Sequence, residues 1–286
     1  MNPDSPAEIR AVLEERGLAL KKRWGQNFLV NRGARQRLVS LLELQENETV
    51  WEIGPGLGSM TGLLLGRAVR VLAFEVDRGL CRFLLETFGG TPSFKLVPGD
   101  FLESWRNAVS DYGPPDRLLG NLPYRTASLM IGDLIEGGLR PRVCVVTVQR
   151  ELAERMASGP GTKSYSSFSV LCQSCFHVIS RGDLQPGSFY PVPEVVSSIV
   201  EMRPRNDAPD SRTLRVLSAL CRGLFSSRRK TIRNNLGSGR LGPDVSAVAV
   251  KAALEGEGID LGKRAEQLSP EIFLSLARAL TGLSAP

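Results

Sequence analysis

Thr49 to Ile53 reads as a short apolar strand that runs directly into Gly54-Pro55-Gly56-Leu57-Gly58, with a helical stretch from Ser59 to Leu65 behind it. Strand, glycine turn and helix in that order read as an α/β unit of the nucleotide-binding kind, although a bare glycine turn standing alone could equally be structural. Glycine lets such a turn approach a ligand closely and adopt backbone conformations other residues avoid. The spacing is G-x-G-x-G, not G-x-G-x-x-G, and no Lys-Ser/Thr pair follows, so a pyrophosphate cradle and a P-loop both fit poorly.

The next strands repeat the plan. Arg70 to Phe74 ends in Glu75, about 20 residues after the first glycine, where doubly wound folds place an acid that accepts from ribose hydroxyls. Phe94 to Val97 leads to Gly99-Asp100-Phe101, a carboxylate beside an aromatic that suits an adenine amino group and its ring. Arg117 to Gly120 ends in Asn121-Leu122-Pro123-Tyr124. There the Asn121 side-chain oxygen and the Leu122 backbone carbonyl can both accept from one planar NH2, while Tyr124 stacks on the ring that carries it. Pro123 stiffens the turn. Glu75, Asp100 and Asn121 thus stand at successive strand ends, the edge where open α/β sheets bind ligands.

Val143 to Val148 is the apolar run expected of a central parallel strand. Helices are expected from Arg32 to Leu44, over Glu151 to Met156 and over Phe168 to Gln173, and strands over Phe176 to Arg181 and Val195 to Arg203. That makes seven strands. The last two are joined through Gln185 to Pro193, too stiff and broken for a crossover helix, so they should form an antiparallel final pair. Phe189 is held in that connection either as a core plug or as an aromatic presented opposite Tyr124, and the stacking clamp requires the latter.

Pro204 to Asp210 reads as a linker, which divides the chain into residues 1–204 and a small all-α domain over 211–286. Helices are expected there at Thr213 to Leu224, Val245 to Leu254 and Pro270 to Leu280. The net charge of +6 and pI near 9.3 favour a polyanionic partner, nucleic acid first. Two basic clusters stand out: Lys21, Lys22 and Arg23, and Arg228, Arg229, Lys230 and Arg233. Each is either a solvated face or a phosphate-contacting edge, and the second lies at a predicted helix start, where cations without an acid are unfavourable unless anions compensate. Ser5-Pro6-Ala7-Glu8 reads as a capping box rather than part of a leader, and no apolar run approaches a membrane span, so the expected location is the cytoplasm. The five cysteines are expected as buried thiols: Cys172-x-x-Cys175 lacks a second ligand pair for zinc, and the single His177 does not supply one.

The ordered set of motifs resembles the ribosomal RNA adenine N6-dimethyltransferase (KsgA-type) family that acts on small-subunit RNA. The likeness runs through Gly25 to Leu29, Glu52 to Gly58, Glu75 to Arg78, Gly99-Asp100 and Asn121 to Tyr124. It continues through Ser188 to Pro193, Arg228 to Asn234 and Arg264 to Ser269. It implies a Rossmann-like seven-stranded methyltransferase domain with a helical C-terminal domain that binds RNA or the ribosome. The implied methyl donor is S-adenosylmethionine (SAM), held by Asn27, Leu29, Gly54, Gly56, Glu75, Asp100, Phe101 and Asn121. Two stretches depart from the family pattern: Arg125-Thr126-Ala127-Ser128, which adds a cation beside the active site, and Tyr165-Ser166 in place of Tyr-Gly.

The implied reaction is direct methyl transfer to a flipped-out adenine N6, with Asn121, Leu122, Pro123, Tyr124 and Phe189 forming the acceptor site. The implied partner is the immature small ribosomal subunit, met by a monomer with no membrane association. Two other readings stay open: a related methyltransferase of large-subunit RNA, and a non-catalytic RNA-binding assembly or transcription factor on the same scaffold. A nicotinamide dehydrogenase is disfavoured by the glycine spacing and by the lack of an evident hydride-site His or Lys.

Overall fold

In the computed structural model, which describes residues 1–18, 26–67, 69–241 and 245–283, helix α1 (Pro6–Glu15) precedes strand β1 (Phe28–Leu29) and helix α2 (Arg32–Leu41). Ser5 caps α1 by accepting from the Glu8 N–H, and Pro6 sits at its first position. The box does not close on Ser5, because the Glu8 carboxylate accepts from the Asn2 N–H at 2.7 Å. Asn31 caps α2. That helix stops short of the predicted Leu44, since Glu43 takes a left-handed φ of 51° and turns its carboxylate to the Arg203 guanidinium.

From there strands and helices alternate. The order is β2 (Thr49–Ile53), α3 (Thr61–Leu65), β3 (Arg70–Glu75), α4 (Arg78–Phe88), β4 (Phe94–Pro98), α5 (Phe101–Tyr112), β5 (Arg117–Asn121), α6 (Ala127–Glu136), β6 (Val143–Gln149) and α7 (Arg150–Ala157). Then come α8 (Ser167–Cys175), β7 (Phe176–Leu184), β8 (Phe189–Tyr190), β9 (Ser197–Pro204), α9 (Ser211–Leu224), α10 (Ile232–Leu236), α11 (Ala247–Gly256) and α12 (Pro270–Leu283).

Seven strands form one sheet in the order β4-β3-β2-β5-β6-β9-β7. Neighbours from β4 to β6 pair parallel, and β9 pairs antiparallel with β6. The two last strands of the sheet are adjacent as expected, with β9 inside β7. Strand order reverses between β2 and β5, so the sheet has its topological switch point there, and a crevice opens beyond the carboxyl ends of those strands. A small antiparallel ladder absent from the sequence reading joins β1 to β8, with Leu29 opposite Phe189.

The chain forms two compact units. The first comprises Met1–Met130, Pro141–Ala153 and Ile179–Arg203, and the second Ile131–Arg140, Glu154–Val178 and Pro204–Pro286. One crossing falls at the predicted linker, while others fall inside α6, α7 and β7, where no linker composition marks them. In the first unit the core joins Leu38, Leu42, Val50, Val71, Leu119, Val145, Ile199 and Phe189. In the second, fully buried Tyr165 donates to the Leu268 carbonyl at 2.8 Å and meets Phe225, which stacks on Phe273. The five cysteines are buried and in no disulfide, and burial pushes the Cys175 thiol up to about 11. Among the described residues no helix is long and apolar enough to cross a membrane.

Candidate active site

The crevice beyond β2 and β5 is a cavity of about 1070 Å³, its open mouth included. Its walls come from β1 and the residues before it, the glycine turn, the ends of β3 and β5, and the start of α5. Gly54, Gly56 and Gly58 all have left-handed φ values, 70°, 59° and 76°. At Gly56 a Cβ would lie 2.9 Å from the Phe28 ring, so this glycine admits one of the protein's own aromatic rings as well as any ligand.

Glu75 ties the turn to the next strand. One carboxylate oxygen accepts from the Gly56 N–H at 3.2 Å and the other from the Asp77 N–H at 2.9 Å. Burial pushes its carboxyl up to about 7, against those hydrogen bonds. Glu52, wholly buried on the neighbouring strand, is also raised to about 7 by burial; one of its oxygens accepts from the Thr61 hydroxyl and the other has no partner. Asp100 is exposed, lines the cavity and caps α5 by accepting from the Leu102 N–H at 2.9 Å. Phe101 also lines the cavity, with its ring edge-on to Phe74 at 5.0 Å.

Asn121 ends β5 beside Gly54, whose Cβ position lies 3.5 Å from the Asn121 carbonyl. Its side-chain amide donates to the Asn27 carbonyl at 2.7 Å and accepts from the Thr147 hydroxyl at 2.5 Å. A carbonyl can only accept, so the Asn27 contact fixes which end of the amide is nitrogen and leaves the oxygen as acceptor. The Leu122 N–H donates to the Thr147 carbonyl at 3.1 Å, and no described residue donates to the Leu122 carbonyl. Pro123 lines the cavity. Tyr124 is half-buried, and its phenol shares a 2.5 Å hydrogen bond with the Ser197 hydroxyl.

The structure therefore brings Asn27, Leu29, Gly54, Gly56, Glu75, Asp100, Phe101, Asn121 and Pro123 to one cavity. Phe189, opposite Leu29 in the β1–β8 ladder, is only 1% exposed, packs in the main core and is not among the residues lining this cavity. The basic cluster also changes. Arg228, itself exposed, pairs with the Glu266 carboxylate at 2.9 Å and donates to the Lys163 carbonyl at 2.9 Å, and Arg229, Lys230 and Arg233 are also exposed. The first three of these cations precede α10 rather than open it, and Thr231 caps that helix. Lys21, Lys22 and Arg23 lie outside the described residues. Phe28, Ser59 and Met60 also line the cavity, and Thr147, marked in the sequence only as a lone hydroxyl in the apolar run of β6, stands behind it against Asn121.

A family model described as ribosomal RNA adenine dimethylase matches residues 17–281. The chain belongs to that family. The ribosomal RNA small subunit methyltransferase A of Treponema denticola is 37% identical over 278 residues, covering 96% of this chain and 94% of its own. That of Treponema pallidum is 40% identical over 283 residues, covering 99% and 98%. Among solved structures, a dimethyladenosine transferase from Plasmodium falciparum shares the fold with a TM-score of 0.73 at 22% identity, covering 86% of this chain and 94% of its own. The 23S rRNA methyltransferase ErmE superposes with a TM-score of 0.64 at 26% identity, covering 89% and 99%. The Rossmann-like seven-stranded methyltransferase fold is that of this adenine dimethylase family.

The cavity fits SAM, the family's methyl donor. Its buried Glu75 offers carboxylate oxygens where a ribose is expected, and its glycine turn lets a ligand approach the backbone. Phe74, Val76 and Phe101 supply apolar walls for a purine. Arg125 is the single cation among the described lining residues.

Proposed function

We propose that this adenine dimethylase transfers methyl groups from SAM to the exocyclic N6 of adenines in small-subunit, 16S-type ribosomal RNA during ribosome biogenesis. When bound, SAM supplies an electrophilic methyl group on a sulfonium centre. The adenine N6 lone pair is delocalised into the ring, so the nitrogen is a poor nucleophile until acceptors hold its hydrogens and favour pyramidal geometry. Asn121 Oδ1 and the Leu122 carbonyl are the proposed acceptors, with Pro123 stiffening the turn and Tyr124 stacking on the base. No strong general base is required, because the N6 proton becomes acidic as the new bond forms. Alignment and preorganised dipoles carry the rate. Extruding the base costs a few kcal/mol, which a stacking contact of about 1–3 kcal/mol offsets in part.

The observation that carries this reading is the Asn121 amide, held in one orientation by the Asn27 carbonyl beside the glycine turn. Residues 1–204 are the proposed catalytic domain and 211–286 the proposed RNA-binding domain. Arg229, Lys230 and Arg233 are proposed phosphate contacts, joined by exposed Lys163, Lys263 and Arg264, whose segments are hydrogen-bonded to the same stretch. The protein is proposed to act as a cytoplasmic monomer on the immature small subunit. The large-subunit alternative is not favoured, since the relatives named above at 37% and 40% identity are small-subunit enzymes.

The test is transfer of radiolabelled methyl to naked 16S-type RNA and to immature small subunits, followed by mapping of the modified adenines. Label on small-subunit adenine N6 is expected, and Asn121→Ala should abolish it while leaving SAM and RNA binding within a few-fold. Undiminished turnover in that variant would remove Asn121 from the mechanism.

A further inference from the structure

We propose that Thr147 is the positioning residue of the methyl-acceptor site, fixing both groups that grip the acceptor amine; this rests on the acceptor roles given above to Asn121 and Leu122. Thr147 stands in register with Asn121 on the neighbouring parallel strand, and its side chain is fully buried. Paired positions on adjacent strands project to the same sheet face, which brings its hydroxyl against the amide. That hydroxyl lies 2.5 Å from Asn121 Oδ1, and its backbone carbonyl receives the Leu122 N–H at 3.1 Å. One residue thus holds the side chain that supplies the first acceptor and the start of the turn that supplies the second.

The choice of residue is informative. The rest of Val143 to Val148 is Val-Cys-Val-Val and Val, and valine would match threonine in shape and strand preference. A buried hydroxyl is unfavourable unless it is hydrogen-bonded, and here its bond goes to the proposed catalytic amide. The Asn27 carbonyl selects which end of the amide faces it, and Thr147 then pins the opposite end. An amide oxygen accepts two hydrogen bonds, so Thr147 occupies one acceptor position and leaves the other for the substrate amine. Without the hydroxyl only the Asn27 contact restrains the amide about its last torsion, which is broad and roughly two-fold for Asn. Thr147 does not line the cavity and acts through Asn121.

The experiment compares Thr147→Val, Thr147→Ser and Asn121→Ala in the full-length protein. Thr147→Val should lower kcat by about tenfold to a hundredfold, the scale of misplacement by an ångström or less. Its KM for RNA, its SAM dissociation constant by calorimetry and its melting temperature should stay near wild type. Thr147→Ser, which keeps the hydroxyl, should recover most of the rate. As a readout independent of turnover, the Asn121 side-chain NH2 resonances of the SAM-free protein should move in Thr147→Val and return in Thr147→Ser. Wild-type kcat in Thr147→Val alongside an inactive Asn121→Ala would overturn the positioning role and leave the acceptor reading standing. Full activity in Asn121→Ala would overturn the acceptor reading itself, and Thr147 with it. Parallel loss of rate, SAM affinity and melting temperature in both Thr147 variants would make the residue merely structural.

Discussion

Glu52 and Glu75 are buried on adjacent strands with no cation among the groups that shift them, and desolvation raises both carboxyls from the usual 4.5 to about 7. Between those values the folded chain keeps protons that the unfolded chain has released. Stability is therefore expected to fall as pH rises from about 4.5 to about 7 and to level off above, with the remaining carboxylates superimposed on that trend. Urea midpoints measured across this window should show a weaker decline in Glu52→Gln. On the proposed ribose role, only the ionised Glu75 accepts from both hydroxyls, so SAM affinity should climb with pH and flatten above about 7. A dissociation constant that does not change from pH 5.5 to 8.5 would count against that role. Phe189 poses a separate question at this scale. As a core residue, Phe189→Ala should cost about 3–5 kcal/mol of stability. A stable variant with a selectively lowered kcat would instead support its place in the acceptor site.

At the scale of elements, the glycine turn does two jobs that its spacing does not separate. Gly58 has φ 76°, and a Cβ there would come within 2.4 Å of the Phe88 ring, which belongs to α4 and not to any ligand. Gly58→Ala should therefore destabilise the first unit, by about 1–3 kcal/mol from backbone strain and overpacking. Gly56→Ala acts on the cavity wall, because the ring it displaces is Phe28 in β1 and the backbone N–H it carries is bonded to Glu75. At φ 59° it shares the backbone strain of Gly58→Ala, and its distinguishing effect is a raised SAM dissociation constant, which Gly58→Ala should leave near wild type. Equilibrium unfolding and calorimetry on the two variants distinguish these roles.

Over the whole molecule, net charge of +6 says only that polyanions are attracted, while the structure says which cations are free to meet them. Arg228 is held by Glu266, so Arg228→Ala should alter stability by no more than about 1 kcal/mol, as exposed pairs do, and change the salt dependence of RNA binding little. Replacing Arg229, Lys230 and Arg233 together should weaken RNA binding and flatten its dependence on salt. Each lost phosphate contact lowers the log–log slope by about 0.7–0.9. Unchanged affinity and slope would make this surface a solvated face.

Local chemistry wrote much of this protein into its sequence. Apolar runs closed by glycine, acid or amide marked β2, β3 and β5 nearly to the residue, because buried parallel strands tolerate little else and functional side chains collect at their ends. What the sequence could not contain was any pairing between distant two-residue strands. β1 and β8 are too short to show a period, yet their ladder sets Phe189 opposite Leu29, where its ring is packed in the core. The same holds for Thr147, whose hydroxyl acquires a partner only when β5 and β6 lie in register. Sequence by itself determined the fold class, the cavity edge and the identity of Asn121 as the residue to watch. Tertiary structure decided how that amide is oriented, since hydrogen bonds between strands depend on register and register is a property of the assembled sheet.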